Sequence, residues 1–350
     1  MNPERREALL GVKLRALATT LPGWDGGAVA CRFPAGAALR TGTTGFLLVD
    51  EAHVERDPTE PAHSRESPRG WLGGAVIWAI RNRAQDVHLL LDVVDGADAR
   101  RATLFHPKLH LWRIDGRILT AVDPSPPFVE VPAPPIDVLA FAGIIEAAGA
   151  EAVVEHGELR AEVLGLEVGR VLVHPELGPV LEVGVGRHDR LATEMLHQGA
   201  NSEEVLRRAV EAVRALRIGM GSTKWMLHPA NQLQRERWLR TIVCGHSELA
   251  GLPADLALRP VCATRQTALK RPGPAIALGP GVVVACTVGV DLDAVPDAAD
   301  ARLAYGPDAS LVICVPDGDD HPALRDLVGA LVHPATLRTV TSDWRDLSVS

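Results

Sequence analysis

Proline is concentrated in one stretch of this 350-residue chain, and that stretch constrains the fold more than any other feature. Six of the twelve residues from Pro124 to Pro135 are proline. Proline has a fixed φ and no backbone N–H donor, so such a segment can neither continue a helix nor occupy the middle of a sheet. The sequence therefore predicts two folded parts, residues 1–122 and 136–350, joined by an extended linker over 123–135. Prolines between 259 and 281 indicate a weaker boundary inside the second part.

Helical and strand-like segments alternate in the first part. Apolar residues recur at helical spacing over 3–20, and helices are also predicted over 71–84 and 95–105. Short apolar strands are predicted at 46–50, 87–92 and 108–114. Alternating helices and continuous apolar strands are typical of an α/β domain with a buried, largely parallel sheet.

The second part shows the same mixture and also a β-hairpin. Two runs rich in β-branched residues, 158–173 and 179–186, flank a turn at 174–178 that ends with glycine. Helices are predicted on both sides of the hairpin, over 136–149 and 202–217. The expected fold class is α/β, with two α/β parts that contain mixed sheets, the second containing a β-hairpin flanked by helices.

Composition excludes several classes of protein. With 36 basic and 44 acidic residues the net charge is −8, so the molecule as a whole has no basic field to hold a polyanion. The five cysteines form no Cys-x-x-Cys pair, which favours reduced thiols over a disulfide framework. The first residues are charged, and no apolar run is long enough to span a bilayer. We therefore expect a cytoplasmic protein with no membrane segment.

The hairpin carries the first candidate site, because the tetrapeptide Leu-Glu-Val-Gly occurs in it twice. Glu167 belongs to the first copy and Glu182 to the second. The order of a helix, a hairpin with an acid on each strand, and a second helix over 136–220 distantly resembles the PD-(D/E)XK superfamily of metal-dependent nucleases, with a looser likeness over 70–120. In that family an acid on one strand faces an acid-x-lysine motif on the next. The resemblance implies that Glu167 and Glu182 are the catalytic acids and that a divalent metal such as Mg²⁺ is the cofactor.

The lysine of the family's motif has no direct counterpart in this chain. Gly184 stands two residues after Glu182, where the motif has lysine, and no acid precedes any of the four lysines by two residues. Arg187 or Lys224 could take the place of that lysine. Otherwise the active site is expected to be degenerate, or the segment is an α/β hairpin unrelated to this family.

The register expected for the hairpin also separates the two acids. Pairing of His174 with Pro179 would place Glu182 opposite Val171, four residues along the ladder from Glu167, or about 13 Å at ~3.3 Å per residue. One metal ion, whose ligands lie within about 2.6 Å of it, cannot bind both acids across that distance. A β-bulge could shift this register.

Basic residues are concentrated between residues 187 and 240. This stretch has ten basic and six acidic residues, a local charge of +4 in a chain of −8. Arginine can hold phosphate oxygens with two parallel hydrogen bonds, so the stretch is a candidate nucleic-acid-binding surface. An ordinary solvated helix face is the alternative. The residues assigned to this surface are Arg187, Arg190, Arg207, Arg208, Arg214 and Arg217, of which Arg207, Arg214 and Arg217 are expected to point at solvent.

Acidic residues at strand ends form a further candidate site. Asp291 and Asp293 end a predicted strand over 282–293, where they would share one face, and Asp317 follows the next strand, 310–316. If the two strands are parallel neighbours, the three acids converge and could bind Mg²⁺. The alternative is that these aspartates begin turns and cap the helices that follow.

These features support three functional hypotheses. The leading one is a nucleic-acid-associated, nuclease-like protein with a degenerate active site. A second is a non-catalytic protein that binds a protein partner or assembles with copies of itself into a homo-oligomer. A third is a Mg²⁺-dependent phosphoryl-transfer or hydrolytic enzyme that uses Asp291, Asp293 and Asp317.

Overall fold

The chain folds into three β-sheets with helices packed against them, an α/β structure as predicted. The computed structural model describes residues 3–50, 70–127, 133–155, 157–186, 190, 202–218, 229–261 and 273–347. Two units are present. The first comprises Met1–Pro127, Val290–Leu311 and Asp320–Leu337, and the second comprises Phe128–Gly289, Val312–Asp319 and Arg338–Ser350. The first boundary, after Pro127, lies within the proline-rich segment. The first unit also includes two later segments, Val290–Leu311 and Asp320–Leu337, which the expected division assigns to the second part.

The first unit is built on sheet 1, whose six strands lie in chain order. Strands β1 to β3 are antiparallel, β3 to β5 are parallel, and β6 is antiparallel to β5. The parallel strands are the three predicted from continuous apolar runs. The strands are β1 Val29–Phe33, β2 Gly36–Thr41, β3 Thr44–Val49, β4 Asp86–Leu91, β5 Lys108–Asp115 and β6 Ile118–Ala121.

Helices cover both faces of sheet 1. Successive residues of a strand point to opposite faces, so neighbouring residues of one strand pack in different cores. Phe46 and Leu48 pack in one core with Leu14 of the first helix, while Leu47 packs in the other core with Trp78 of the second. Burial on both sides explains the continuous apolar runs at the ends of β3 and β4, whereas β5 has four exposed residues. The helices are α1 Pro3–Ala18, α2 Trp71–Asn82 and α3 Gly96–Ala102.

Buried ion pairs hold a late segment of the chain within the first unit. Helix α8 (Ala294–Tyr305) contacts α3, and the Arg100 guanidinium donates to both carboxylate oxygens of Asp300 at 2.6 and 2.8 Å. Arg101 Nε lies 3.2 Å from Asp297. Helix α9 (Pro322–Gly329) packs against α2 in the same unit. These contacts join residues about two hundred positions apart, so no local pattern in the sequence could predict them.

The second unit contains sheet 2, which is antiparallel with the order β10-β9-β8-β7, and most of sheet 3, with the order β11 to β15. The predicted hairpin is β9–β10. The run over 158–173 forms two strands, because Leu164 and Gly165 both have left-handed φ values and make a tight turn. The strands are β7 Glu151–Glu155, β8 Glu158–Val163, β9 Leu166–His174, β10 Gly178–Val183, β11 Arg259–Val261, β12 Ala275–Gly279, β13 Val282–Cys286, β14 Ser310–Pro316 and β15 Ala335–Val340.

Four helices complete the described part of the second unit. The apolar face of sheet 2, which includes Leu159, packs with Ile145 and Leu206 of two of these helices. Trp238 and Ile242 belong to the core of sheet 3. No helix in the described ranges is long and apolar enough to cross a membrane. The helices are α4 Ile136–Leu139, α5 Ala142–Ala147, α6 Ser202–Ile218 and α7 Arg235–Gly245.

The register of the β9–β10 hairpin differs by one residue from the expected one. Gly178 lies opposite His174, so Glu182 lies opposite Arg170, and its expected pairing with Val171 is wrong. The reason is the left-handed φ of Gly178, which places this glycine instead of the following proline at the first paired position of β10.

His88, on β4, is a buried histidine of the first unit. Its Nδ1 accepts a hydrogen bond from Trp112 Nε1 at 3.0 Å, and its ring stacks on Phe46 and His110 at centroid distances of 5.3 and 5.0 Å. Burial and the neighbouring His110 lower the pKa of His88 to about 4, against the opposing charge of Asp86. His88 is therefore neutral near physiological pH.

We expect the free energy of unfolding to fall as the pH decreases from 6.5 towards about 4, because the unfolded chain binds a proton at His88 that the folded chain does not. At pH values above 6.5, the lowered pKa contributes about 2 kcal/mol to the free energy of unfolding, after discounting for solvent screening. Urea unfolding at about pH 7 and about pH 5 measures the loss. His88→Gln keeps an acceptor for Trp112 and should lose less stability between the two pH values. An identical loss in wild type and variant would contradict this assignment.

Gly165 and Gly178 provide a matched test of the packing between sheet 2 and α7. Both have φ of +73°, but a Cβ at Gly165 would clash with the backbone of Arg237 and Trp238, whereas a Cβ at Gly178 meets nothing within 4 Å. We expect Gly165→Ala to lower the free energy of unfolding by about 3 kcal/mol and Gly178→Ala by about 1 kcal/mol. Chemical denaturation measures both, and equal losses would show that the close approach is absent.

Candidate functional site

One face of sheet 2 carries charged side chains along its strands. In the β7–β8 register Glu155 lies opposite Glu158, and Glu151 lies opposite Glu162. Residues that lie opposite each other, and residues two apart on one strand, share a face. Arg160, which pairs with Arg170 of β9, therefore lies on the same face as these glutamates. The opposite face supplies the apolar core described above.

A β-bulge brings Glu167 onto this charged face. Ala161 pairs with Gly169, yet the next residue, Glu162, pairs with Glu167, so β9 contains one extra residue at this point. Such a bulge puts residues three apart on one face. Arg170 accordingly reaches back to Glu167 and donates to its two carboxylate oxygens at 3.1 and 3.0 Å.

Helix α7 covers the charged face with two arginines, which lie three residues apart and so on one side of the helix. Arg237 donates to Glu155 at 2.6 Å and also to Glu162. Arg240 donates to the same two glutamates at 3.1 and 3.2 Å. With Arg160 and Glu167, these residues make three acidic and three basic side chains in equal number, each at most 5% exposed. This buried charge network consists of Glu155, Glu162, Glu167, Arg160, Arg237 and Arg240.

The two glutamates held by α7 differ in how readily they bind a proton. Burial raises the pKa of Glu155, but the charges of Arg237, Arg240 and Arg160 outweigh burial and lower this pKa to about 2. For Glu162, burial is the largest influence and raises the pKa, with the charge of Glu155 adding to it. Arg237 and Arg240 oppose this rise, so burial and charge act on both glutamates in opposite directions.

The two acids suggested by the nuclease resemblance meet at one arginine. Arg190 Nη1 lies 3.0 Å from Glu167 Oε1, and Arg190 Nε lies 3.6 Å from Glu182 Oε2. The expectation that the two acids lie about 13 Å apart along the ladder is therefore wrong. The bulge and the shifted register bring both carboxylates to the same guanidinium group. Glu167 is almost fully buried, whereas the Glu182 side chain is 24% exposed.

The Glu167 carboxylate is occupied by arginine. Glu167 accepts hydrogen bonds from Arg170 and Arg190, and Arg160 lies 3.5 Å away. A Mg²⁺ ion requires oxygen ligands at about 2.1 Å in octahedral geometry, so the guanidinium groups would have to move before a metal could bind Glu167. In the described ranges no group of three or more histidine, cysteine, aspartate or glutamate side chains is arranged to hold a metal ion.

The arginines assigned to a nucleic-acid surface have different environments. Arg207 and Arg208 contact Glu203 or Glu204 on the exposed side of α6, and Arg214 donates to the Gly149 carbonyl at 2.8 Å. Arg190 is bound to the acids of sheet 2, and Arg187 lies outside the described residues, as does Lys224.

The expectation that Arg217 points at solvent is wrong, because its side chain is buried. It donates to the carbonyl oxygens of Leu164 and Leu233, the latter at 2.9 Å, and its guanidinium lies over the Trp238 ring at 4.6 Å. These carbonyls are fixed by tertiary packing, so the helical spacing of α6 alone could not reveal this contact.

The three aspartates considered as Mg²⁺ ligands have structural roles within their own units. Strand β13 ends at Cys286, so Asp291 and Asp293 do not share a strand face but lie in the turn before α8. Asp293 accepts the backbone N–H of Gly70 and of Gly73 at the start of α2, the latter at 2.9 Å. Asp317, in the second unit, accepts hydrogen bonds from Ser342 Oγ and the Gly318 N–H. The alternative interpretation as turn and cap residues holds in part. Asp317 begins a turn through its bond to Gly318, but the Asp293 side chain makes no cap bond to α8 and binds the start of α2 instead.

The sequence interpretation missed Glu155, Glu162, Arg237 and Arg240. A signal was present in the alternation Glu158-Leu-Arg160-Ala-Glu162, which is typical of a strand with one polar face. Such a face is ordinarily solvated, since charged residues are rarely buried unless they are paired. The pairing with α7 joins residues more than seventy positions apart, so only the tertiary structure reveals it.

Comparison of this chain with protein-family models, with curated proteins and with solved structures found no match.

Replacing Arg240 with methionine should destabilise the protein strongly, because it leaves the buried carboxylates of Glu155 and Glu162 short of one positive charge. We expect a loss of about 3–5 kcal/mol in the free energy of unfolding. Arg208→Met is the matched control, since Arg208 forms an exposed pair with Glu204 and should cost under about 1 kcal/mol. Urea denaturation of both variants measures the difference. A small loss for Arg240→Met would contradict the proposed burial of the network.

Proposed function

We propose that this chain is a nucleic-acid-associated protein of the nuclease-like type that has no catalytic activity. The observation that carries the proposal is the position of Arg190, whose guanidinium contacts both Glu167 and Glu182. A pair of acids on neighbouring strands is what the resemblance to the PD-(D/E)XK superfamily leads us to expect. A cation is also present between them, but it is a guanidinium group of the protein itself.

The chemistry of guanidinium explains why such a site would be inactive. A divalent metal in a hydrolytic site accepts an oxygen of the substrate and lowers the pKa of a bound water, which then attacks. Arginine is always protonated and has no open coordination position, so it supplies positive charge without activating water. Arg170 and Arg160 add further positive charge around Glu167.

The association with nucleic acid is supported by the local excess of basic residues between 187 and 240 in an otherwise acidic chain. Phosphate contacts dominate the affinity of proteins for nucleic acids and need a local basic surface instead of a basic molecule. In the described part of this stretch, Arg208 and Arg214 are exposed on α6. A protein that binds nucleic acid without cleaving it fits both observations.

The test is a combined binding and cleavage assay. Fluorescein-labelled single-stranded and duplex DNA and RNA are titrated with the protein at several salt concentrations, with Mg²⁺ present, and the products are examined on denaturing gels. We expect binding that weakens steeply with salt and no cleavage.

Glu167→Gln serves as the control in this assay. Cleavage by the wild type that the substitution abolishes would contradict the loss of catalysis. An absence of binding to every nucleic acid at low salt would contradict the association.

A further inference from the structure

Two arginines lie over the Trp238 ring in the second unit, and a third begins the helix that carries this tryptophan. The guanidinium carbon of Arg217 lies 4.6 Å from the centroid of the Trp238 ring, and that of Arg345 lies 5.9 Å from it. Arg345 also lies over Trp344 at 4.2 Å, and the two indoles meet edge to face. Arg235, the first residue of α7, lies near enough to influence the protonation of Arg345. We call Arg217, Arg235 and Arg345 the arginine cluster.

The arginine cluster differs from the buried charge network because it has no paired carboxylates. Within the described ranges no carboxylate oxygen lies within 4.0 Å of any of its three guanidinium groups. The nearest influences of opposite charge on Arg345 are Asp319 and Asp346, which act from a longer distance. The hydrogen bonds of Arg217 go to backbone carbonyls, and its Nε has no partner among the described residues.

The fold fixes the cluster through backbone contacts. Arg217 joins the β8–β9 turn to the segment before α7 by its bonds to Leu164 and Leu233. Gln234, the residue before α7, has a left-handed φ of 48°, and its Oε1 accepts the backbone N–H of Glu167 at 3.2 Å. A non-glycine residue in this conformation needs support from its surroundings. The geometry that places Arg235 is therefore set by sheet 2.

Like charges in this position destabilise one another unless an anion lies between them. Burial lowers the pKa of Arg217 to about 9, with Arg345 lowering it further against the opposing charge of Glu162. Burial and then Arg235 lower the pKa of Arg345. A bound anion would oppose these influences, because an opposite charge close to a guanidinium favours its protonated form.

We propose that the arginine cluster is a phosphate-binding site that contacts the backbone of a nucleic-acid strand. Arg235 and Arg345 are half-buried and would supply the donors to a phosphate, while Arg217, which is buried, adds positive charge. The Trp238 and Trp344 side chains are fully buried, so bases do not stack on them and the site reads no sequence. This inference deepens the proposed function and rests on it.

The experiment compares two variants of equal charge. Arg235→Gln/Arg345→Gln alters the accessible part of the cluster, and Arg208→Gln/Arg214→Gln removes two positive charges from the exposed side of α6. Binding of a fluorescein-labelled single-stranded oligonucleotide is followed by anisotropy, and tryptophan fluorescence reports ligand contact near Trp238 and Trp344. Circular dichroism confirms that both variants fold. Inorganic pyrophosphate is added as a competitor to separate phosphate recognition from recognition of the strand.

The expected result is an affinity at least about tenfold weaker for the cluster variant, with a shallower salt dependence, and a smaller change for the α6 variant. Arg345→Lys keeps the charge but loses the planar fork, and should show an intermediate loss. Binding by the wild type that the cluster variant retains in full would overturn this inference and leave the proposed function standing. A wild type that binds no oligonucleotide even at low salt would overturn the proposed function, and with it this site.

Discussion

The ion pairs that Arg237 and Arg240 form with Glu155 and Glu162 are the interaction on which the second unit depends. Helix α7 presents these arginines to the charged face of sheet 2, while Trp238 and Ile242 of the same helix pack in the core of sheet 3. A buried carboxylate without a partner is strongly destabilising, so neither the helix nor the sheet face is stable in this environment without the other. The network thereby fixes the position of α7 within its unit.

The same chemistry determines what the candidate site can do. A bulge in β9 brings Glu167 onto the charged face, where Arg160, Arg170 and Arg190 surround its carboxylate. Loss of one of these guanidinium groups would leave a buried carboxylate without its partner, and a metal ion could bind the carboxylate only if a guanidinium group moved. The acids that resemble catalytic residues are held in ion pairs with Arg190, whereas Arg217 and Arg345 lie over the Trp238 ring.

The sequence was informative for several features that depend on local spacing. The parallel strands of sheet 1 were predicted from continuous apolar runs, and α6 from an amphipathic pattern with a stripe that includes Val213. The charged face of sheet 2 could not be recognised as buried, because alternation such as Glu158-Leu-Arg160 is the same for a solvated strand. The meeting of Glu167 and Glu182 at Arg190 depends on a one-residue bulge, and no composition or periodicity specifies which residue is the extra one.

Direct measurement of metal binding tests the central claim that arginine replaces a metal between Glu167 and Glu182. Mn²⁺ is a suitable probe in place of Mg²⁺, because its electron paramagnetic resonance signal distinguishes free from protein-bound ion. Titration of the wild-type protein should show no stoichiometric Mn²⁺ site in the micromolar to millimolar range. One equivalent of bound Mn²⁺ that is lost in Glu167→Gln would contradict the claim. It would favour a metal-dependent active site at Glu167 instead.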